Sequence, residues 1–599
     1  MKQALLLIPK ILIFFILLAV LEFNKNTVLG WILEAAVFAV YLYLSYKVFA
    51  GHKFLAGAGL FLGFLALSAA VIFISWPPVK NVPAVSYKNP VKTEVITTKL
   101  GDVRGVFNED QTVEVFTGIP YAKPPVGELR WKEPQDAEPW TGILEADHFA
   151  PMGMQPVNLP IYDSLAQVIG YHDYKISLDD NYRAPVSEDS LYLNIWKPAG
   201  DVKDLPVLVY IHGGSLQTGQ PWYADYSGEG LAKHEGIIVV NIAYRLGVFG
   251  FYADEELAAE SPNHTTGNYG LLDMIKGLEW VRDNIAYFGG DPGNVTLAGE
   301  SAGSAAVSAL CTSPLAKGLF ERVILESSTV ASKNPPHSFR LFEEALKSGN
   351  ELKARYNAQN VEDLRNIPAE KLANEAYTQH HITVDGYVLE RTPYESYKLG
   401  LYNEKAILHG YNSDEAGPFV LFSQANMKNY ESKIRNYFGD LSNQVLELYP
   451  AGTDEEASRY WREIYGAVFF SYPHYCLNRL AAENGIPVYE YLFSKENGRL
   501  GPWHSGEEVY LYHNIPYEEM DPELENSKIY HYSDVSLSQN MAAYVASYCE
   551  NGKPQKFGLP TWENNITSEI VMEFGEKIKP VREPSLRLYE VLDQLYGWE

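Results

Sequence analysis

Three apolar runs occupy the first 76 residues and restrict this part of the chain more than any other feature. They cover residues 4–23, 28–46 and 54–76. Each approaches the roughly 20 residues that a helix needs to cross the hydrocarbon core of a bilayer. The runs show almost no polar face, which a helix on the surface of a soluble core would have. We therefore predict three transmembrane helices that form a membrane anchor over residues 1–76.

The first run by itself also fits a secretory signal sequence, because Lys2 precedes it. No small-x-small cleavage site follows it and two further apolar runs come at once, so we favour a retained anchor.

Three spans place the N-terminus and the rest of the chain on opposite sides of the membrane. The flanking lysines are divided between the two ends, and we predict a cytoplasmic N-terminus. Glu34, about two turns inside the second run, is interpreted as a carboxylate near the interface or facing neighbouring helices.

Charge separates the N-terminal part of the chain from the rest. The whole chain has 48 Lys and Arg against 75 Asp and Glu, a formal net charge of −27. The first eighty residues hold six lysines and two acidic residues, a net of +4, so the remainder carries −31. We find no basic patch of the kind that phosphate backbones require, which argues against nucleic-acid binding. Three cysteines in 599 residues exclude a disulfide framework.

The part after residue 76 has the pattern of a linker followed by one large domain. Four prolines interrupt a polar stretch over residues 77–91, which indicates a stiff linker. From 92 to 599, longer helical patterns alternate with short apolar runs, at residues 205–211, 237–242, 295–298, 323–325, 406–410 and 488–492. The clearest helix covers residues 271–288. Fully apolar strands between helices indicate a sheet covered on both faces, hence an α/β fold.

A serine in Gly299-Glu300-Ser301-Ala302-Gly303 matches the pattern G-x-S-x-G. The run before it is a predicted strand and residues 304–310 after it are a predicted helix. A nucleophile elbow requires this order, because its serine must stand on a sharp turn at the carboxyl end of the sheet. The N-terminus of the helix then offers the Ala302 N–H to a developing oxyanion. The competing interpretation is a small-residue turn without chemistry.

A glycine pair in His212-Gly213-Gly214-Ser215 follows the predicted strand at 205–211. Adjacent glycines at a strand end let backbone N–H groups point into a cleft, where they complete an oxyanion hole. Alone, the segment is equally typical of an ordinary loop. Together with the elbow it indicates a catalytic site.

These motifs and four longer segments resemble the carboxylesterase type B family of α/β-hydrolases. The segments are FTGIPYAKPPVG at 116–127, SEDSLYLNI at 187–195, NYGLLD at 268–273 and FGGDP at 288–292. The resemblance covers residues 92 to the C-terminus. It implies an α/β-hydrolase fold, with a large and mostly parallel central sheet flanked by helices, preceded here by the three transmembrane helices.

A serine nucleophile needs an imidazole base and an orienting carboxylate. From the residues alone the base stays open among the downstream histidines, which include His380, His381, His409, His474, His504 and His513. The resemblance implies Glu415 as the acid and His504 as the base, with Asp414 as the rival acid. It places the upstream N–H groups of the oxyanion hole at Gly214 and Ser215, with Gly213 shaping the loop.

Some positions depart from the family pattern. Ser190 stands where many secreted members have a bridging cysteine, and residues 152–155 lack the partner cysteine. Cys311, Cys476 and Cys549 are interpreted as buried thiols. No tryptophan lies between residues 140 and 196, which counts against a choline-specific enzyme. The resemblance also implies a structural ion pair between Arg130 and Glu188.

The sequence therefore predicts a serine carboxylesterase anchored in a membrane. The resemblance implies hydrolysis of small-molecule or lipid esters through an acyl-enzyme, without a cofactor or metal. We expect a multi-pass protein of a bacterial cell membrane with the catalytic domain outside the cytoplasm. Two alternatives remain: a catalytically silent adhesion protein like the neuroligins, and a lipase or carbamate hydrolase with the same chemistry.

Overall fold

The chain folds into helices and strands over most of its length. The computed structural model describes residues 2–49, 54–157, 160–161, 164, 182–375, 381–496, 501–515, 530–565 and 569–598. His380, one candidate base, and the chain end Glu599 lie outside the described residues. Two compact units form, one of Met1–Asn81 with Val157–Pro185 and the other of Val82–Pro156 with Val186–Glu599.

The first unit holds three N-terminal helices: α1 (Lys2–Phe23), α2 (Val28–Phe49) and α3 (Phe54–Ile74). Within the part of the chain that the structure describes, two stretches are long and apolar enough to cross a membrane, Val28–Lys47 and Leu55–Ile74. Both coincide with predicted spans. The first predicted span forms α1, and its crossing of a membrane stays a prediction.

Several polar side chains of this unit are buried between its helices. At the α1–α2 turn, Asn26 Nδ2 donates to Ile72 O and to Ser75 Oγ, each at 2.7 Å. Further along α2, Ser68 Oγ of α3 donates to Glu34 Oε1 at 2.9 Å, and Glu34 is only 1% exposed. Helix α1 also packs on α2, where the Phe14 and Phe38 rings stack at 4.2 Å.

The second unit is built on strands that include the apolar runs predicted from the sequence. In chain order the strands are β1 (Ile96–Thr97), β2 (Asp102–Arg104), β3 (Val106–Phe107), β4 (Val113–Pro120), β5 (Ile143–Glu145), β6 (Met152–Gly153), β7 (Val186–Ser187), β8 (Tyr192–Pro198), β9 (Leu205–Ile211), β10 (Ile238–Ile242), β11 (Gly290–Glu300), β12 (Arg322–Glu326), β13 (Phe339–Leu341), β14 (Ile382–Val384), β15 (Ile407–Asn412), β16 (Val488–Phe493), β17 (Ile570–Phe574) and β18 (Ile578–Arg582).

A large mixed sheet joins most of these strands, in the order β18-β17-β16-β15-β12-β11-β9-β10-β8-β4-β3. From β17 to β10, neighbouring strands run parallel. The pairs at the two edges, β17 with β18 and β10 with β8, β8 with β4 and β4 with β3, are antiparallel. The α/β class predicted from the sequence is confirmed, with a sheet that is parallel at its centre and antiparallel at its edges.

Helices follow most of the central strands and cover the sheet. They are α4 (Glu229–Glu235), α5 (Gly247–Phe251), α6 (Glu255–Glu260), α7 (Tyr269–Asn284), α8 (Ala302–Leu310), α9 (Phe342–Arg355), α10 (Val361–Arg365), α11 (Ala369–Ala373), α12 (Pro393–Lys398), α13 (Gly417–Val420), α14 (Tyr430–Phe438), α15 (Ser442–Leu448), α16 (Asp454–Gly466), α17 (Tyr472–Asn484), α18 (Glu508–Leu511), α19 (Tyr532–Asn551) and α20 (Leu586–Tyr596). The predicted helix at 271–288 is α7 plus a 3-10 turn over Ile285–Phe288.

The centre of the sheet is buried on both faces, as expected for fully apolar strands. Every residue of β10, β15 and β16 is buried. Because β9, β11 and β15 are parallel, the segments that follow them emerge at the same edge of the sheet. Those segments carry Gly213, Ser301 and Glu415.

Candidate active site

The serine of the G-x-S-x-G motif occupies a strained turn between a strand and a helix. Ser301 follows β11 directly and precedes α8, with φ +52° and ψ −124°. A positive φ is unusual for a residue with a side chain and is maintained only where the surrounding structure enforces it. The Ser301 N–H donates to Glu326 O at 2.9 Å, which ties the turn to the end of β12.

The two glycines of the motif permit a close approach of two backbones. A Cβ on Gly303 would lie 2.1 Å from Ile211 O, and one on Gly299 would lie 2.8 Å from the same oxygen. Both distances are far shorter than van der Waals contact. The small residues of the motif therefore let the elbow pack against the carboxyl end of β9.

Three predicted residues form one line of hydrogen bonds. The His504 Nε2 lies 2.8 Å from Ser301 Oγ, and His504 Nδ1 lies 2.6 Å from Glu415 Oε2. The Asn412 N–H holds the other oxygen, Glu415 Oε1, at 2.7 Å. A carboxylate facing Nδ1 favours the tautomer in which Nδ1 carries the proton, so that Nε2 accepts from the serine hydroxyl. Glu415 and His504 are buried.

The rival acid points elsewhere. Asp414 Oδ2 lies 3.2 Å from Arg462 Nη1 in a partly exposed ion pair. Its backbone N–H donates to Pro502 O at 3.2 Å. Among the two adjacent acids, the one in contact with the histidine is Glu415.

The other candidate histidines lie in different surroundings. His409 Nδ1 lies 2.8 Å from His474 Nδ1, and both rings are buried. His513 is buried beside His234, whose ring centroid lies 4.3 Å away. The described structure thus brings one of the candidate bases, His504, to Ser301.

The Gly213–Ser215 segment lies against the elbow. A Cβ on Gly213 would lie 3.1 Å from Ser301 Cβ, and Gly214 has a φ of +103°, which glycine adopts readily. The Thr218 N–H donates to Gly214 O at 2.9 Å and closes the turn. Ala302 begins α8, so its N–H belongs to the first turn of a helix.

Two acids that the sequence reasoning did not assign lie beside this line. Glu300 Oε1 is 3.2 Å from His504 Nε2 and accepts from Ser505 Oγ at 2.6 Å. Glu507 accepts from Ser327 Oγ at 2.9 Å and from the Asn412 amide. Glu507 thereby connects the loop of His504 to the ends of β12 and β15. Two features of the sequence could have pointed to these acids. Glu300 is adjacent to Ser301, and Glu507 follows His504 by three residues.

Burial and charge act against each other on these groups. Burial lowers the pKa of His504, but the carboxylates of Glu300 and Glu415 outweigh it and raise this pKa above its ordinary value. Burial raises the pKa of Glu300, and burial with the nearby carboxylates raises that of Glu507 to about 7. The imidazolium of His504 is therefore stabilised by its acidic neighbours.

Aromatic rings form a wall beside the histidine. The Phe470 centroid lies 4.8 Å from that of His504, and the Phe419 centroid lies 5.1 Å away in a T-shaped arrangement. Phe470 belongs to a π-helical turn, Ala467–Ser471. Such turns often occur at functional sites because they displace a side chain from the helical repeat.

The structure also shows where the other residues singled out from the sequence lie. Arg130 binds Glu188 through two hydrogen bonds of 2.6 Å each, and both side chains are largely buried. Cys311, Cys476 and Cys549 are free and buried, and Ser190 is buried. Over the described residues, no group of three or more His, Cys, Asp or Glu side chains is arranged to hold a metal ion.

Comparisons with known proteins find similar chains over most of its length. A family model described as "Carboxylesterase family" matches residues 92–587. The chain is 31% identical to carboxylesterase 1C of Rattus norvegicus over 521 residues, covering 81% of this chain and 90% of that protein. It is 32% identical to fumonisin B1 esterase of Sphingopyxis macrogoltabida over 499 residues, covering 80% and 86%. The crystal structure of carboxylesterase EST55 of Geobacillus stearothermophilus superposes with a TM-score of 0.70 at 31% identity, covering 83% of this chain and 100% of that one.

Proposed function

The chain belongs to the carboxylesterase family and is a carboxylic ester hydrolase, and from this premise we propose that Ser301, His504 and Glu415 are its catalytic triad. The observation that supports the triad is the continuous line of hydrogen bonds from Ser301 Oγ through His504 to Glu415. The strained φ of Ser301 adds support, because it exposes the hydroxyl at the edge of the sheet.

Hydrolysis proceeds in two half-reactions, acylation of the serine and deacylation by water. His504 Nε2 takes the proton of Ser301 as Oγ attacks the ester carbonyl, and Glu415 stabilises the imidazolium that forms. The tetrahedral intermediate collapses to an acyl-enzyme, and His504 gives its proton to the departing alcohol. Water then adds to the acyl carbon with His504 again as base, and the acid is released as Ser301 regains its proton.

The oxyanion is proposed to bind the backbone N–H groups of Gly214, Ser215 and Ala302. Gly213 contributes its small size, since any side chain there would meet Ser301 and Glu300. The N-terminus of α8 adds a favourable dipole. Preorganised donors of this kind stabilise a developing charge because they need no reorganisation during the reaction.

The acid beside His504 leads to a prediction about pH. The base must be neutral to accept the serine proton, and the Glu300 carboxylate favours the charged imidazolium. Glu300→Gln removes that charge, lowers the pKa of His504, and should move the acidic limb of the kcat/KM profile to lower pH by about one unit. The measurement is the pH profile with p-nitrophenyl acetate.

Ser505→Ala is the matched control for this variant. It removes the hydroxyl that donates to Glu300 and leaves the charge of Glu300 in place. We expect this variant to shift the acidic limb much less than Glu300→Gln does. An unchanged limb in Glu300→Gln, or a limb moved to higher pH, would contradict the electrostatic role of Glu300.

We further propose that residues 1–76 are a three-helix membrane anchor, residues 77–91 a linker and residues 92–599 the catalytic domain. The distribution of polarity supports the anchor: Phe73 is 73% exposed on α3, whereas Glu34 is buried between helices. Apolar outer surfaces with polar groups inside are typical of helices in lipid. The stacking of Phe14 of α1 on Phe38 of α2 supports retention of α1, since cleavage after a signal sequence would remove this packing.

The alternatives gain less support. A silent adhesion protein has no use for a complete triad with hydrogen-bonding geometry. A lipase or carbamate hydrolase would use the same residues and differ only in substrate. For orientation we keep the cytoplasmic N-terminus, which places the catalytic domain outside the cytoplasm of a bacterial cell.

One experiment tests both the nucleophile and the orientation. Protoplasts that express the full chain are treated with a membrane-impermeant fluorophosphonate, and the labelled peptide is identified by mass spectrometry. We expect labelling at Ser301 in intact protoplasts. Labelling only after lysis would reverse the orientation, and the absence of labelling after lysis would refute the proposed nucleophile.

A further inference from the structure

A short segment beside the active site exposes an unusual amount of apolar surface. Phe419 is 47% exposed, Leu421 is 48% exposed and Phe422 is 99% exposed. A single exposed apolar residue is normal on a protein surface. Three exposed apolar residues within four positions are a local concentration of apolar surface, which more often marks a binding site. We name these three residues the apolar lip.

The apolar lip is continuous with the catalytic histidine. The Phe419 ring packs on His504 at 5.1 Å and on Phe470 at 5.4 Å, and about half of it remains open to solvent. Phe419 thus touches the histidine and is half open to solvent, and Leu421 and Phe422 follow it in the chain at exposed positions.

The segment is fixed in place by buried neighbours. Val420, between Phe419 and Leu421, is 1% exposed, and its N–H donates to Ala416 O at 3.1 Å. A Cβ on Gly417 would lie 2.6 Å from Trp503 Nε1, so the segment packs tightly against the residue before His504. The lip is thus a preorganised surface, and binding to it needs little additional ordering.

The chemistry of the triad decides which part of a substrate meets this surface. His504 gives its proton to the departing alcohol, so the alcohol oxygen must lie next to His504 Nε2. Groups that pack on His504 therefore flank the alcohol side of the ester. The Phe419 ring holds this position, and the exposed Leu421 and Phe422 lie two and three residues further along the chain.

We propose that the apolar lip binds the hydrocarbon chain of the alcohol part of the substrate, so that the enzyme prefers esters of medium- or long-chain alcohols. This inference rests on the proposed function. An alkyl chain leaving His504 along the lip replaces water on three apolar side chains, and each methylene group so buried contributes to transition-state binding.

The test compares ethyl acetate with octyl acetate, each below its solubility limit. Both esters form the same acetyl-enzyme, so a difference in kcat/KM reports only the alcohol chain. In the full-length protein, the double variant Leu421→Ser, Phe422→Ser should lower the octyl-to-ethyl ratio of kcat/KM about tenfold, the effect of losing contact with about two methylene groups. Ethyl acetate itself should change by less than about twofold.

Phe557→Ser is the matched control, because Phe557 is also fully exposed but belongs to a different loop. It should leave the ratio unchanged, and the conservative variant Phe422→Leu should keep most of the preference. An unchanged ratio in the double variant would overturn the inference. So would an equal loss with both esters, because the segment would then act through His504. Failure of the unaltered protein to hydrolyse either ester would instead refute the proposed function and this inference with it.

Discussion

Replacement of Ser301 by alanine should lower kcat/KM for p-nitrophenyl acetate by about 10⁴- to 10⁶-fold and abolish labelling by fluorophosphonates. The reason is that Ser301 Oγ, which lies 2.8 Å from His504 Nε2, is the proposed attacking atom, and without it no acyl-enzyme forms. The residual rate would come from the oxyanion donors and His504 acting on water. The measurement is steady-state hydrolysis by purified full-length protein, with the labelled fraction determined by mass spectrometry.

Ser304→Ala is the control for this loss. Ser304 is a buried serine one turn further along, in α8, and its hydroxyl donates to Ser328 O at 2.5 Å. It should keep activity within about tenfold, because the cost of one lost hydrogen bond falls on stability. Hydrolysis by Ser301→Ala at a rate near that of the unaltered protein would refute the triad.

The centre of the sheet was predictable from the sequence, whereas its edges were not. Strands such as β10 are buried on both faces and appear in the sequence as uninterrupted apolar runs. Edge strands carry polar residues on one face and lose this pattern. In β18 all five residues are partly buried or exposed, and one of them is Pro580, which an edge strand tolerates. Short edge strands such as β3, with two residues, are too brief to show any period.

The residues of the site also differed in how well the sequence alone could predict them. Ser301 carries a local signal, because strand, turn and helix are adjacent in the sequence. His504 and Glu415 are separated from it by 203 and 114 residues in the chain, and only folding brings them together. No local property distinguishes His504 from His409 or His474, so its assignment came from the family resemblance. The contact of Glu300 with His504 also forms only when folding brings these distant segments together, and it was not predicted.

Replacement of Glu415 by glutamine should lower kcat for p-nitrophenyl acetate by about 10³- to 10⁴-fold at neutral pH. The carboxylate accepts a hydrogen bond from His504 Nδ1, which leaves Nε2 free to accept the serine proton. An amide group turned toward Nδ1 as a donor favours the opposite tautomer, in which Nε2 carries the proton and cannot act as the base. The charge that stabilises the imidazolium is lost as well. Steady-state kinetics across a pH series measures both effects.

Asp414→Asn is the matched control, since it makes the same chemical change one residue earlier. Asp414 pairs with Arg462 at a partly exposed position, and exposed pairs contribute about 1 kcal/mol or less. Activity should therefore stay within a few-fold of that of the unaltered protein. If Asp414→Asn lost more activity than Glu415→Gln, the orienting acid would be Asp414, and the loop would have to rearrange in the working enzyme to bring it to His504. A large loss in Glu415→Gln alone identifies the carboxylate that lies 2.6 Å from the imidazole as the one that orients it.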